Sequence, residues 1–435
     1  MKGPAIALST LLALSGASYG SDDWGDEGDS WGDDSWGEEE SSDASPIQGF
    51  YELGLGGRTQ DDPALNEDLT LAEARARLEY SQYLGEAKFS IKGDILADGV
   101  EHGLHGDLRE AMFSFSATDK IDMRVGQQVL TWGTGDMLFL NDLFAKDWVS
   151  FFSGRDDTYL KAPSASVKAS YFGDSGVNLD LVWTPKFTHD RFIDGERFSY
   201  FSPMAGQNVA APAGHFVPEE PDAEFENGEF AARLFGQEGS TEWALYGYQG
   251  FWKRPVSMTP AGQGTFDRLT AIGASVRGNV ASGIGHGEVA WYEGKDRDGE
   301  NPLRANDQFR ALVGYEQELI ADLTAGVQYY LEWTRDYDAL KRTDGNSPFR
   351  PDEYRQVMTL RLSYRLLQNN LTLNWFSFWS PTDKDFYLRP SVRYRLDDAW
   401  AVTAGANIFG GEEGHTFFGQ FEDASNVYLR LRYSY

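Results

Sequence analysis

The sequence predicts an all-β fold: a transmembrane antiparallel up-and-down β-barrel of about 18 strands, preceded by a disordered acidic tail. Three observations predict it. Segments of roughly ten residues alternate apolar and charged side chains, the period of a sheet with two different faces. The connections between them alternate short and long. The composition pairs 47 glycines and 14% aromatics with a mean hydropathy of −0.47, which suits a greasy outside around a wet inside.

Residues 1–20 read as an export signal. Lys2 supplies a positive start, Ala5 to Leu14 are mostly apolar, and Ser18 and Gly20 place small residues before a cleavage site at Ser21. The apolar run is too short to span a bilayer as a helix, and no later segment offers about 20 consecutive apolar residues. Cysteine is absent, so neither disulfides nor thiol chemistry enters.

Residues 21–46 hold eleven acidic side chains and no basic one. Trp24, Trp31 and Trp36 are each followed by glycine and an acid. Like charges repel and there is little apolar area to bury, so the segment is expected to be disordered on its own. A solvated spacer, a docking peptide for a periplasmic protein and an insert in the barrel mouth are all consistent with it. The remaining chain still carries 57 acidic and 37 basic residues, so the acidity is not confined to the tail.

From Ile47 onward, strands are expected to begin near residues 48, 71, 87, 108, 121, 164, 177, 229, 241, 266, 284, 308, 323, 355, 371, 386, 401 and 425. Residues 72–80 show the pattern clearly. Ala72, Ala74, Ala76, Leu78 and Tyr80 share one face; Glu73, Arg75, Arg77 and Glu79 share the other. The last strand sets Val427, Leu429, Leu431, Tyr433 and Tyr435 against Tyr428, Arg430, Arg432 and Ser434. Short connections follow every even-numbered strand and longer ones most odd-numbered strands, as periplasmic turns and external loops do. Both termini then lie on the periplasmic side. The terminal aromatic, Tyr435, resembles the signal read by the outer-membrane assembly machinery.

The face expected to line the lumen is rich in arginine, notably Arg75, Arg77, Arg124, Arg361, Arg389, Arg393, Arg430 and Arg432. Fixed charges of this kind set pore selectivity, and arginine binds carboxylates and phosphates through a planar fork. Cross-strand pairing with Glu52, Glu73 or Glu332, which would stiffen the wall, is the other reading of the same residues.

Residues 127–163 break the alternation. The stretch is too apolar for a solvated loop, yet carries Asp136, Asn141, Asp142 and Asp147 beside Trp132. It is expected to fold into the lumen or cap the mouth. The run Gly126-Gln127-Gln128-Val129, then Trp132-Gly133 and Gly135-Asp136, followed by Asn141-Asp142-Leu143 and by Arg155 and Lys161-Ala162-Pro163, resembles a group of bacterial outer-membrane barrels near the alginate-export-type porins. The likeness is tight over about forty residues and architectural elsewhere. It implies an association with inner-membrane exporters and periplasmic carriers of lipid or other hydrophobic cargo.

Catalytic signatures are missing: there is no Gly-x-Ser-x-Gly and no His-Glu-x-x-His. Five of six histidines (His102, His105, His189, His215 and His415) fall in expected external loops. Asp296 to Asn301 resembles part of a calcium loop but lacks the distal glutamate. The reading is a non-enzymatic barrel of the cell outer membrane, in contact with lipid and lipopolysaccharide, needing no cofactor, metal or nucleic acid. Its expected function is a porin-like channel for small polar or anionic solutes; the alternative is a conduit or receptor for hydrophobic cargo.

Overall fold

The computed structural model describes residues 47–345 and 347–435. The expected leader (1–20) and the acidic tail (21–46) with Trp24, Trp31 and Trp36 lie outside the described residues. The rest is one closed sheet of eighteen antiparallel strands. In chain order these are β1 (Ile47–Arg58), β2 (Leu69–Leu84), β3 (Ala87–Asp98), β4 (Gly103–Thr118), β5 (Ile121–Val129), β6 (Pro163–Phe172), β7 (Val177–Thr184), β8 (Glu229–Glu238) and β9 (Thr241–Phe251). There follow β10 (Arg268–Val280), β11 (Gly283–Glu293), β12 (Gln308–Ile320), β13 (Leu323–Thr334), β14 (Tyr354–Leu366), β15 (Leu371–Ser380), β16 (Asp385–Arg395), β17 (Trp400–Gly411) and β18 (Asn426–Ser434). β1 pairs with β18, Glu52 opposite Arg432 and Leu53 opposite Leu431, so no edge is left unpaired. Closure is what lets backbone amides cross hydrocarbon with every bond made within the sheet.

The barrel is inside-out relative to a soluble fold. Arg75, Arg77, Glu73 and Asp94 are buried, while Leu53, Ile272, Val313, Val327 and Leu429 are exposed on the outer wall. Exposed aromatics frame this band: Tyr394, Trp400 and Tyr435 near the short turns, and Phe230, Tyr354 and Trp379 near the long loops. These are the aromatic girdles of a membrane barrel, and the chain is a barrel of the bacterial outer membrane. Val313 sits near mid-strand with 59% of its surface exposed. Val313→Arg is expected to cost about 2–4 kcal/mol, as charge at the bilayer midplane does. Reversible urea unfolding in lipid vesicles measures this; an unchanged midpoint would mean that the position does not face lipid.

One boundary differs from the expectation. β4 begins at Gly103, not near residue 108, so His105 lies in a strand and not in a loop. The cause is a bulge where the register between β3 and β4 shifts at Lys92/Gly93. It turns Arg109 inward, 4% exposed, and breaks the alternation upstream of it. The excursion between β5 and β6 covers 130–162, slightly less than the 127–163 expected, because β5 runs on to Val129. Within it are one helix, α1 (Trp148–Ser153), and a 3-10 turn at Asp157–Leu160.

Candidate functional site: a lumen-crossing segment and a cationic chamber

Residues 130–162 leave the wall at β5 and touch the inner face far around the barrel. The amide N–H of Gly135 donates to Glu288 of β11 at 2.8 Å, as do Thr134 N–H and, at 2.7 Å, the Asn141 side chain. Gly273 of β10 makes room for this approach, since a Cβ there would collide with Asn141. Gln328 of β13 grips the Asp136 backbone in both directions, at 2.8 and 2.9 Å. Tyr292 of β11 donates to the Leu140 carbonyl.

The segment then packs as a small apolar core. Trp132 meets Phe144 edge-on at 5.0 Å. Asp147 caps α1 by accepting from Ser150 N–H at 2.7 Å, and Gly154 ends it at φ 84°, where the Tyr428 ring also leaves no space for a Cβ. Phe151 and Phe152, each 2% exposed, pack on Tyr387, and Phe152 also on Phe409 and Phe421. Tyr387 of β16 and Asn426 of β18 donate to the carbonyls of Phe151 and Phe152.

Charge pins the return leg. Arg155 donates to Glu73 at 2.9 Å; Asp156 bridges Arg430 and Arg432 at 3.2 and 3.0 Å; Asp157 holds Arg389 at 2.5 Å. Burial alone would raise the Asp156 carboxyl, but Arg432 and Arg430 outweigh it and hold it well below its ordinary value. Tyr159, 1% exposed, donates to Asp94 at 2.6 Å and lies under Arg75 at 4.2 Å.

The eight arginines singled out from the sequence therefore divide. Arg75, Arg77, Arg389, Arg430 and Arg432 are buried and engaged with carboxylates. Arg361 is bridged by Asp136 at 3.2 Å and by Glu316. Arg124 and Arg393 are half-buried. Asp142 holds Lys146 at 2.9 Å and accepts from Thr131 at 2.7 Å. The histidine pair stays at the rim, with His102 3.2 Å from Glu67. Asp296 accepts from Asn301 N–H within its own loop. Among the described residues, no three His, Asp or Glu side chains converge on a point that could hold a metal.

Beside the inserted segment lies a cavity of about 150 Å³. Five cationic side chains line it (Lys146, Lys253, Arg254, Arg310 and Arg355) against three carboxylates (Asp142, Asp190 and Glu332). Aromatic rings, among them Trp148, Tyr292 and Phe417, fill the remaining wall. Most of the cations have partners: Lys253 with Glu229 at 2.6 Å, Arg310 with Glu332 at 3.3 Å, Arg355 with Asp383 at 2.7 Å. Asp190 accepts from Lys146 N–H and Trp148 Nε1, and burial pushes its carboxyl above the ordinary value. Arg254 differs. It is exposed to the cavity, lies 5.3 Å from the Phe417 ring, and makes no hydrogen bond or ion pair among the described residues. Lys253, Arg254 and Arg355 were not among the candidates from sequence. The first two follow β9 in a loop, where alternation carries no information; Trp252-Lys253-Arg254, an aromatic beside two cations, was the available signal.

No protein-family model matches this chain, and no curated protein matches it in sequence. Solved structures match it in fold. OccAB4 of Acinetobacter baumannii superposes with a TM-score of 0.55 at 10% identity, covering 89% of this chain and 97% of that one. OccAB3 of the same organism gives 0.52 at 10%, covering 89% and 98%. OccK11 (OpdR) of Pseudomonas aeruginosa gives 0.50 at 12%, covering 89% and 95%. At these identities the likeness is one of fold, that of a bacterial outer-membrane porin-type barrel.

Proposed function

We propose that this barrel is an outer-membrane channel for small anionic solutes, selected in the cationic chamber beside the inserted segment. The observation that carries the reading is Arg254: a guanidinium that makes no hydrogen bond or close ion pair among the described residues and feels Asp190 and Glu332 only at a distance, in a chamber whose lining cations outnumber its acids. A fixed charge facing a confined space attracts the opposite ion and repels its own kind. Its planar fork suits a carboxylate or phosphate.

Reversal potentials in a planar bilayer under a KCl gradient test this. The wild-type protein is expected to favour chloride, and Arg254→Gln to lower the anion-to-cation permeability ratio severalfold while leaving the barrel folded. Cation selectivity in the wild type, or an unchanged ratio in the variant, would overturn the assignment.

A second reading is favoured by the aromatic lining. With Trp148, Phe417 and Tyr292 around Arg254, the chamber also suits an amphiphile whose acid meets the guanidinium and whose apolar body lies on the rings. This agrees with the hydrophobic-cargo role implied by the resemblance of residues 126–163. Absence of any steady ionic current, together with saturable binding of a fatty acid that Arg254→Gln weakens, would favour it over the simple channel.

A further inference from the structure

The lipid-facing wall is not uniformly filled. Across β10 to β13 it carries an apolar groove of about 510 Å³. Ala274, Gly287 and Ala311 form its floor, and Val289, Val313 and Tyr329 its sides. The register places them together: Ala274 pairs with Val289 and Val289 with Ala311, while Gly287 pairs with Val313 and Val313 with Tyr329. Two residues further toward the external loops, roughly 7 Å along each strand, the same face becomes aromatic. Trp291 pairs with Phe309, Phe309 with Trp333, and Trp333 with Tyr354, the last two rings stacked at 5.7 Å. This is the external girdle, directly above the groove.

Arg335 lies on that girdle. Its guanidinium sits 4.1 Å from the centre of the Trp333 ring and 6.0 Å from that of Trp291. Its backbone is fixed, with the N–H donating to the Asp307 carbonyl at 2.9 Å and the carbonyl accepting from Asn306 at 2.7 Å. The side chain makes no hydrogen bond or close ion pair among the described residues. Glu353, the carboxylate beside the same ring, accepts from Trp333 Nε1 at 3.4 Å instead. Between girdle and groove, Gln356 of β14 pairs with Leu331 on the lipid-facing side. Its side-chain oxygen accepts from the Tyr329 hydroxyl at 2.9 Å, and its amide nitrogen has no partner among the described residues. A donor turned toward hydrocarbon is costly unless a ligand satisfies it. From the external side inward, the wall thus offers a cation at headgroup depth, a hydrogen-bond donor below it and a groove in the hydrocarbon. An anionic lipid presents its phosphate, its acyl carbonyls and its chains in that order, and a guanidinium fork suits a phosphate.

We propose that this face binds one phosphorylated glycolipid of the external leaflet, lipopolysaccharide, through its lipid A end. A phosphate meets Arg335, an acyl carbonyl accepts from Gln356, and one acyl chain lies over Ala274, Gly287 and Ala311. The site is outside the lumen and stands whatever the channel carries. A second copy of the barrel is the competing occupant of the groove.

The test titrates lipid-stripped mature protein in detergent with lipid A, with dephosphorylated lipid A and with phosphatidylethanolamine, counting bound lipid by native mass spectrometry. One lipid A is expected per barrel. Arg335→Gln is expected to weaken it about tenfold, as loss of a charge-assisted contact does, and to leave the dephosphorylated form unaffected. Ala274→Leu with Ala311→Leu, which fills the groove, is expected to weaken both forms. These side chains face lipid, so the heat-modifiable migration of a folded barrel on a gel should be retained. Arg297→Gln is the control, a rim cation paired with Glu293, and should bind as wild type does. Equal binding of all three lipids, or undiminished lipid A binding by the Arg335 and groove variants, would overturn the site and leave an ordinary lipid annulus. Dimers that vanish in the groove variant, with no lipid A held by the wild type, would assign the groove to a second copy and overturn it equally.

Discussion

Replacing residues 138–153 with a short Gly-Ser linker converts the barrel into a wide, steadily conducting pore. This is the largest functional effect expected of any change in the chain. Barrels of this strand number leave an aqueous channel unless something fills it, and here residues 130–162 fill it. Leu140, Phe144, Phe151 and Phe152 are all within 7% of full burial although they belong to a connection between strands. The wall itself is closed by eighteen paired strands and does not need them. Single-channel conductance should rise severalfold, with retained heat-modifiable migration on a gel showing that the barrel still folds. A folded barrel with unchanged conductance would mean that the passage runs elsewhere. Phe151→Ala with Phe152→Ala separates packing from pinning. It removes the aromatic core but leaves Arg155, Asp156 and Asp157 in their ion pairs, so it should give flickering rather than steady opening.

Asp94→Asn is expected to have the largest effect on stability. The Asp94 side chain is fully buried and lies 2.8 Å from Arg75, 2.7 Å from Arg77 and 2.6 Å from the Tyr159 hydroxyl. Two guanidinium groups share this carboxylate, and the nearest other acid for Arg75 is Glu73 at 3.3 Å. Removing one partner of a buried ion pair costs about 3–5 kcal/mol, because the remaining charge stays buried without compensation. Here two guanidinium groups lose their shared partner, Arg75 keeping only Glu73 and Arg77 only Glu79 at 3.7 Å, and Tyr159 also anchors the inserted segment. The variant should melt at lower temperature and expose residues 154–160 to protease. Lys384→Gln is the control: its partner Glu412 is 64% exposed, and exposed pairs contribute about 0–1 kcal/mol. Equal melting temperatures for the two variants would show that the Asp94 cluster does not hold the segment.

The strands and turns were legible in the sequence because lipid and lumen impose opposite chemistry on alternate residues. Leu78 and Arg77 can be assigned to opposite faces without coordinates, and so can Leu429 and Arg430. Where a bulge inserts a residue, as between β3 and β4, the same rule fails locally, and His105 was misplaced for that reason. The departure of residues 127–163 from alternation was equally visible, because Phe and Leu interspersed with Asp fit neither a lipid face nor a solvated loop.

What each lumen arginine does was not legible. Partners are set by which loop folds inward and how far it crosses, and that depends on contacts between residues more than a hundred positions apart, such as Asn141 with Glu288 or Asp157 with Arg389. Alternation places Arg389 in the lumen but is silent on Arg254, which follows a strand in a loop; tertiary structure gives the first a close carboxylate and leaves the second facing a cavity. The sequence by itself determined the barrel, its strand count and its two faces, since these follow from local periodicity against a two-sided solvent. Only the tertiary structure decided which charges meet a close partner and which face the cavity, since long-range pairing in the lumen obeys no local period.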